Sequence, residues 1–245
     1  MRLHLLEHEP FDIRRSNFSI WAENKGYYVE STDVFKGVEL PSPKDFDWLI
    51  VLGGFQHAWQ EQKHSWLKSE KALISEALAT DKIVLGICFG AQLLAEVLGG
   101  RVFSNEKEEI GWYEVTVSEA GIDSFFFKNV PRKFLTFHWH SDHFTLAPGC
   151  TRLAFSKPTA NQAFIANNAR AVGLQFHPEY TIEMVRHFAV KYGHEWQKGQ
   201  YVAGKQAVLS QCEELPETYW LMELLLENME RHYQKIEVRQ QRSEI

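Results

Sequence analysis

Lys82-Ile83-Val84-Leu85-Gly86-Ile87-Cys88-Phe89-Gly90-Ala91-Gln92 is the stretch that decides the fold. Its first half is a continuous apolar run without polar alternation, the pattern of a strand covered on both faces, as in a parallel sheet. Its second half passes at once into a short helix, expected over Ala91–Leu98 and closed by Gly99-Gly100. Upstream, Asp47-Trp48-Leu49-Ile50-Val51-Leu52 repeats the buried-strand pattern and ends in Gly53-Gly54. Between the two runs lies an amphipathic helix. Trp66, Leu67, Leu73, Ile74, Ala77 and Leu78 recur at spacings of three and four, with Lys68, Glu70, Lys71 and Glu76 on the opposite side. Arg2–Leu6 reads as a first strand, and Ser16–Lys25 as a helix with Phe18, Trp21 and Ala22 on one face.

Downstream, residues 101–155 are richer in strand character. Tyr113-Glu114-Val115-Thr116-Val117 alternates cleanly, and Phe134-Leu135-Thr136-Phe137 less so. Ala169–Phe176 is a late apolar strand, and Thr181–Tyr192 is a helix with Met184, Val185, Phe188 and Tyr192 along one stripe. After Gly193 the chain is polar as far as Pro216. A last helix is expected over Tyr219–His232, its stripe of Leu221, Leu224, Leu225 and Met229 reading as core contact. Strand–helix alternation at this pitch predicts an α/β three-layer sandwich with a mostly parallel central sheet. No repeat or Pro/Gly-rich linker interrupts it. The expectation is one domain over residues 1–192 and a C-terminal helical extension, 193–245, packed on the same body.

Composition narrows the function classes. The 245 residues are 44% hydrophobic and 24% charged, ordinary globular values. A net charge of −6 disfavours phosphate backbones, so no nucleic-acid partner is expected. No apolar run approaches the ~18–20 residues that cross a bilayer, and the apolar stretch at Met1–His8 is too short for a secretory signal. Three widely spaced cysteines, Cys88, Cys150 and Cys212, give no disulfide framework and fit a reducing cytoplasm.

The chemistry concentrates in two segments. Gly86-Ile87-Cys88-Phe89-Gly90 has the form of a nucleophile elbow, the cysteine version of G-x-S-x-G. A tight strand-to-helix turn brings backbone close on both sides of the nucleophile, where a Cβ would collide. Cys88 then sits at a helix N-terminus, whose unpaired N–H groups favour an anion, and the Phe89 N–H faces the place of a developing oxyanion. In Gly173-Leu174-Gln175-Phe176-His177-Pro178-Glu179 a buried strand ends in a histidine, with a carboxylate two residues on. A thiolate needs an imidazole to exchange its proton, and the imidazole needs an acceptor to fix its tautomer. Cys88, His177 and Gly53-Gly54 all fall at the carboxyl ends of expected strands, where parallel-sheet enzymes bind ligands.

G-I-C-x-G-x-Q followed about ninety residues later by Q-F-H-P-E resembles the class I, triad-type glutamine amidotransferase domain, in the form found in GMP synthetases and their stand-alone relatives. The resemblance covers roughly Arg2 to Tyr192. It implies a flavodoxin-like fold, with Cys88 as nucleophile, His177 as general acid/base and Glu179 as its orienter. It further implies Gly54 and Phe89 N–H groups as the oxyanion hole, and Gln92 as a residue that helps hold substrate glutamine. Trp139-His140-Ser141-Asp142 falls where the family has Ser-His-Gly-Asp, which grips the amino-acid end of glutamine. The implied reaction is hydrolysis of the glutamine side-chain amide through a cysteinyl thioester, with no cofactor and no metal. Ammonia would pass to a separate synthetase partner. A stand-alone γ-glutamyl peptide or amide hydrolase is the alternative, and a non-catalytic regulatory domain is one of another class.

The pattern departs in places. Gly53-Gly54-Phe55 stands where the family has Gly-Gly-Pro, and Trp139 and Ser141 replace smaller residues. Gly199–Lys205 mimics a phosphate loop but lacks the Ser/Thr that would ligate magnesium. His138, His140 and His143 could suggest a metal, yet no Cys or acidic cluster joins them except Asp142. His57 and His64 read as surface or lid residues, and Cys150 and Cys212 as small buried hydrophobes.

Overall fold

The computed structural model describes residues 1–10, 15–215 and 218–243; Pro216, read above as the end of the polar stretch, lies outside them. The elements run β1 (Arg2–Glu7), α1 (Asn17–Lys25), β2 (Tyr28–Asp33), a 3₁₀ turn (Val34–Lys36), β3 (Trp48–Val51), α2 (Trp66–Ala79), β4 (Ile83–Ile87), α3 (Phe89–Val97), β5 (Val102–Val117), α4 (Glu119–Ile122), β6 (Lys133–Phe144), β7 (Thr151–Phe155), β8 (Ala163–Ala166), β9 (Ala171–Leu174), α5 (Ile182–Tyr192), α6 (Lys205–Glu214) and α7 (Tyr219–Ser243). Local chemistry sets several of the boundaries. Ser16 caps α1 by accepting the Ser19 N–H at 3.2 Å, and Gly26 ends it in the left-handed region at φ 66°. Thr181 caps α5 through the Met184 N–H at 3.1 Å.

One nine-stranded sheet, in the order β2-β1-β3-β4-β9-β8-β7-β5-β6, forms the middle layer. Its first five strands are parallel, and the last four are joined to them and to one another antiparallel. The expectation of a mostly parallel sheet is therefore corrected: half of the strand pairings are antiparallel, including the long β5–β6 ribbon. That ribbon belongs to the β-rich middle of the sequence, where the only helix between its strands, α4, is a single four-residue turn rather than a crossover helix of the kind that joins parallel neighbours.

The continuous apolar runs are buried from both sides. In β3, Trp48 and Ile50 face one core with Phe18, Trp21 and Ala22 of α1 and Leu221, Met222, Leu225 and Met229 of α7. Leu49 and Val51 face the opposite core with Leu67, Leu73 and Ile74 of α2 and Leu93 and Leu94 of α3. Successive side chains of a strand point to opposite faces, so a run without alternation is what two helical layers require. A third cluster packs α5 and α6 on Trp112 and Phe137 of the ribbon. The last helix is longer than its expected end at His232. Its stripe lies in the main core, except that Leu224 is only half-buried. Leu225→Ala is expected to cost about 2–5 kcal/mol in urea unfolding. A loss below about 1 kcal/mol would show α7 to be loosely held rather than part of the core.

Candidate active site

Gly53-Gly54, Cys88 and His177 follow the carboxyl ends of β3, β4 and β9, three adjacent parallel strands. Cys88 adopts φ 53°, ψ −108°, a conformation disfavoured for any residue with a side chain and costing on the order of 1–3 kcal/mol. The surrounding backbone imposes it: Cys88 N–H donates to Leu174 O at 2.7 Å, and Gly90 N–H to Leu52 O at 3.1 Å. The flanking glycines are required sterically. A Cβ on Gly86 would stand 2.5 Å from the Gly90 carbonyl oxygen, and one on Gly90 only 1.9 Å from that of Val51.

Beyond Leu174 the chain leaves β9 but keeps one further sheet contact, His177 N–H to Phe137 O at 2.9 Å. His177 Nδ1 lies 2.7 Å from Glu179 Oε1, and both residues are buried. A Cβ on Gly53 would meet His177 Cε1 at 3.1 Å and Cys88 Cβ at 3.6 Å, so the thiol and imidazole residues share one wall. Burial works against charge on the imidazole. The carboxylate of Glu179 and, after it, the neighbouring Cys88 outweigh it and push His177 up to about 10. Tyr180 stacks on the ring at 4.3 Å and 9°. The turn itself is pinned from a distance: Asn17 Nδ2 donates to Pro178 O at 2.9 Å and Tyr180 O at 3.1 Å, and Thr218 Oγ1 donates to Tyr180 O at 2.9 Å.

A cavity of ≈220 Å³ opens over Cys88. Gly54, Gln92, Trp139, His140, Ser141 and Asp142, all expected around the substrate, line it. Phe89 is the first residue of α3, where N–H groups lack intrahelical acceptors. The Cys88 thiol donates to Trp139 O at 3.6 Å. Gln92 Nε2 donates to Asp142 O at 3.2 Å, tying α3 to β6. Phe55, in place of a proline, packs on Trp139 and Tyr192 with ring centroids 5.2 and 5.5 Å apart.

Several partners escaped the sequence reading. His57 Nδ1 reaches Asp142 Oδ2 at 2.5 Å, so this loop histidine is part of the cavity wall, whereas His64 packs on Trp66. Burial raises the Asp142 carboxyl, and His57 opposes that shift. Glu70, placed on the polar side of its helix, is completely buried against His8 at 2.8 Å; neither pairing has a signal at short sequence range. Glu109, His138 and His140 form a buried group whose donor atoms lie within 4.8 Å of one another, the set that could take a metal ion among the described residues. The carboxylate of Glu109 accepts from Ser156 Oγ and Gln162 Nε2, each at 2.8 Å, whereas both ring nitrogens of His138 and Nε2 of His140 are buried without a hydrogen-bond partner. His143 stands apart from it, edge-on to Phe103. The phosphate-loop mimic is a turn before α6, bridged to β5 through Ile110 N–H to Tyr201 O at 2.9 Å. Burial pushes the Cys150 and Cys212 thiols up, away from reactivity.

The profile of the family Glutamine amidotransferase class-I matches residues 22–191. The chain belongs to this family. It is 34% identical over 189 residues to the glutamine amidotransferase-like protein YfeJ of Salmonella typhimurium, covering 76% of this chain and 78% of that one. It is 33% identical over 128 residues to a glutamine-hydrolyzing GMP synthase subunit of Methanococcus maripaludis, covering 50% and 66%. Against a GMP synthase of Lactobacillus acidophilus the match spans only 21% of the relative. A crystal structure of a glutamine amidotransferase from Thermotoga maritima superposes with a TM-score of 0.82 at 32% identity, over 93% of this chain and 97% of that one. The amidotransferase fold expected from the two motifs is thereby established. Among the described residues, no helix is long and apolar enough to cross a membrane.

Two outcomes follow for this candidate site. Gly90→Ala should destabilise by at least the ~1–3 kcal/mol of an overpacked core, read by thermal unfolding. Because His177 is raised from 6.5 to about 10 in the folded protein, its contribution to stability is complete below pH 6.5 and is lost as pH rises through about 10. The stability difference between wild type and His177→Gln, measured in urea, should shrink over that window; a difference growing with pH would refute the assignment.

Proposed function

We propose that the protein hydrolyses the side-chain amide of glutamine through a thioester on Cys88, releasing glutamate and ammonia. The observation that carries this reading is the histidine held by a buried carboxylate at 2.7 Å beside a cysteine on a strained elbow, at the floor of a cavity. The Cys88 thiolate attacks the carboxamide carbon. The Gly54 and Phe89 N–H groups receive the developing oxyanion, each worth ~2.7–4 kcal/mol if such a donor is lost. His177 protonates the departing ammonia, then takes a proton from water as it attacks the thioester, and Glu179 keeps the ring oriented throughout. Asp142, Ser141, His140, Trp139 and Gln92 surround the amino-acid end. A volume of ≈220 Å³ falls below the ~300–1,000 Å³ of sites for drug-sized ligands and suits one amino acid.

By likeness to a relative named as a separate GMP synthase subunit, the ammonia passes to an acceptor protein. The three cysteines are unpaired, which suits a cytoplasmic setting. A second reading rests on Glu108, Glu195, Trp196 and Gln197, which also wall the cavity and offer surface for a leaving amine larger than ammonia; the substrate would then be a γ-glutamyl peptide or amide.

Purified protein incubated with glutamine, and separately with γ-glutamyl peptides, should release glutamate, and Cys88→Ala should abolish release in either case. Glutamine turnover that rises on adding a synthetase supports the reading with a separate acceptor, and peptide cleavage without a partner supports the hydrolase. No turnover of either substrate, with Cys88 inert to a glutamine-like alkylator, would leave a non-catalytic regulatory domain.

A further inference from the structure

Two adjacent glycines carry the loop that supplies Gly54, and a Gly-Gly peptide is the backbone unit freest to rotate. An N–H group serves an oxyanion only if it is already aimed. The residues that follow β1 provide the restraint. His8 is 1% exposed and lies between two fixed groups: Nδ1 stands 3.2 Å from Gly53 O, and Nε2 stands 2.8 Å from Oε1 of the fully buried Glu70. A carbonyl only accepts, so Nδ1 carries the proton and donates to Gly53. Burial opposes charge on His8, but the Glu70 carboxylate and the Gly53 carbonyl prevail and raise it above its ordinary value. The next residue clamps the other side, Glu9 Oε1 accepting from Phe55 N–H at 3.1 Å and from Gln56 Nε2 at 2.8 Å.

Both peptide planes that meet at Gly54 are thus held. Gly53 C=O and Gly54 N–H belong to one planar trans peptide and point in opposite directions. Tying the oxygen to His8 therefore turns the Gly54 N–H away from His8. The same imidazole meets Phe89, owner of the other donor, edge-on at 4.9 Å. Its Cβ is 2.8 Å from where a Cβ on Gly54 would stand, so the ring closes against the glycine itself.

We infer that His8, braced by Glu70 and flanked by Glu9, is a positioning residue that sets the Gly53–Gly54 peptide so that the Gly54 N–H faces the reacting carbonyl. This rests on the glutaminase reading above and adds to it a second buried His–Glu pair, one that touches no reacting atom. Asparagine places its side-chain N–H where histidine has Nδ1, so His8→Asn keeps the bond to Gly53 while giving up Glu70. His8→Ala loses both.

The test compares wild type, His8→Ala and His8→Asn by kcat and KM for glutamine, by the melting temperature, by the rate of Cys88 alkylation with iodoacetamide, and by the ¹H–¹⁵N resonance of Gly54. His8→Ala should lower kcat by about 10- to 100-fold, approaching the loss of one oxyanion donor, with KM within about threefold. His8→Asn should recover most of kcat although both variants strand Glu70 and melt earlier. Alkylation, which needs no oxyanion hole, should keep its rate. The Gly54 resonance should be single and sharp in wild type and Asn, and shifted or broadened in Ala. Wild-type kcat in His8→Ala, or equal losses in Ala and Asn that follow the melting temperature, would overturn the inference. If wild type turns over neither glutamine nor a γ-glutamyl amide, the glutaminase reading falls on its own, and an unperturbed Gly54 resonance in His8→Ala would separately remove the clamp.

Discussion

The close approach of two backbones at the end of β4 is the constraint on which the site depends. Gly86 and Gly90 are separated from carbonyl oxygens by less than any side chain would allow, and the positive φ of Cys88 is the consequence of that closeness. Strain of that kind persists only where its surroundings over-determine it. Here they do, through bonds from Cys88 N–H to β9 and from Gly90 N–H to the residue after β3. The elbow is thereby tied to the two strands that also deliver His177 and Gly53.

The two halves of the sheet divide the remaining work. The parallel half fixes strand ends in register, so that β1, β3, β4 and β9 present His8, Gly53, Cys88 and His177 along one edge. The antiparallel half brings the far wall: the Trp139 carbonyl against the thiol, Asp142 against His57, and the Glu109 cluster beneath His140. Buried carboxylates recur behind each histidine of the site. Glu179 backs His177, Glu70 backs His8 and Glu109 stands beside His140. A buried imidazole without such a partner loses its proton preference and its fixed orientation. His138, with burial dominating and its neighbours insufficient, is held down to about 3.

Much of this was legible in order along the chain. The elbow and the H-P-E turn are short motifs whose chemistry is local: a glycine is needed within two residues of the strained cysteine, and a carboxylate two residues from the imidazole can reach it. Element positions were legible for the same reason, since β3 and β4 bury both faces and say so in unbroken apolar runs. The weaker strands were not. β2 is largely exposed, and β8 is four residues long and makes its sense only between β7 and β9. Glu70 was misplaced because helical periodicity assigned it to solvent, while its partner lies 62 positions away.

The sequence by itself determined the family, the tight turn at Cys88, the histidine with its carboxylate and the two-sided burial of the central strands, because each is written in short motifs or runs whose residues lie within a few positions of one another, the family needing two such motifs in order. Tertiary structure alone decided the mixed direction of the sheet, the wall formed by His57 and Asp142, the anchoring of the H-P-E turn by Asn17 and Thr218, and the His8–Glu70 pair beneath the Gly-Gly loop. Those depend on groups brought together from distant stretches and desolvated together, and the free energy of a buried polar contact is fixed by its partner in space.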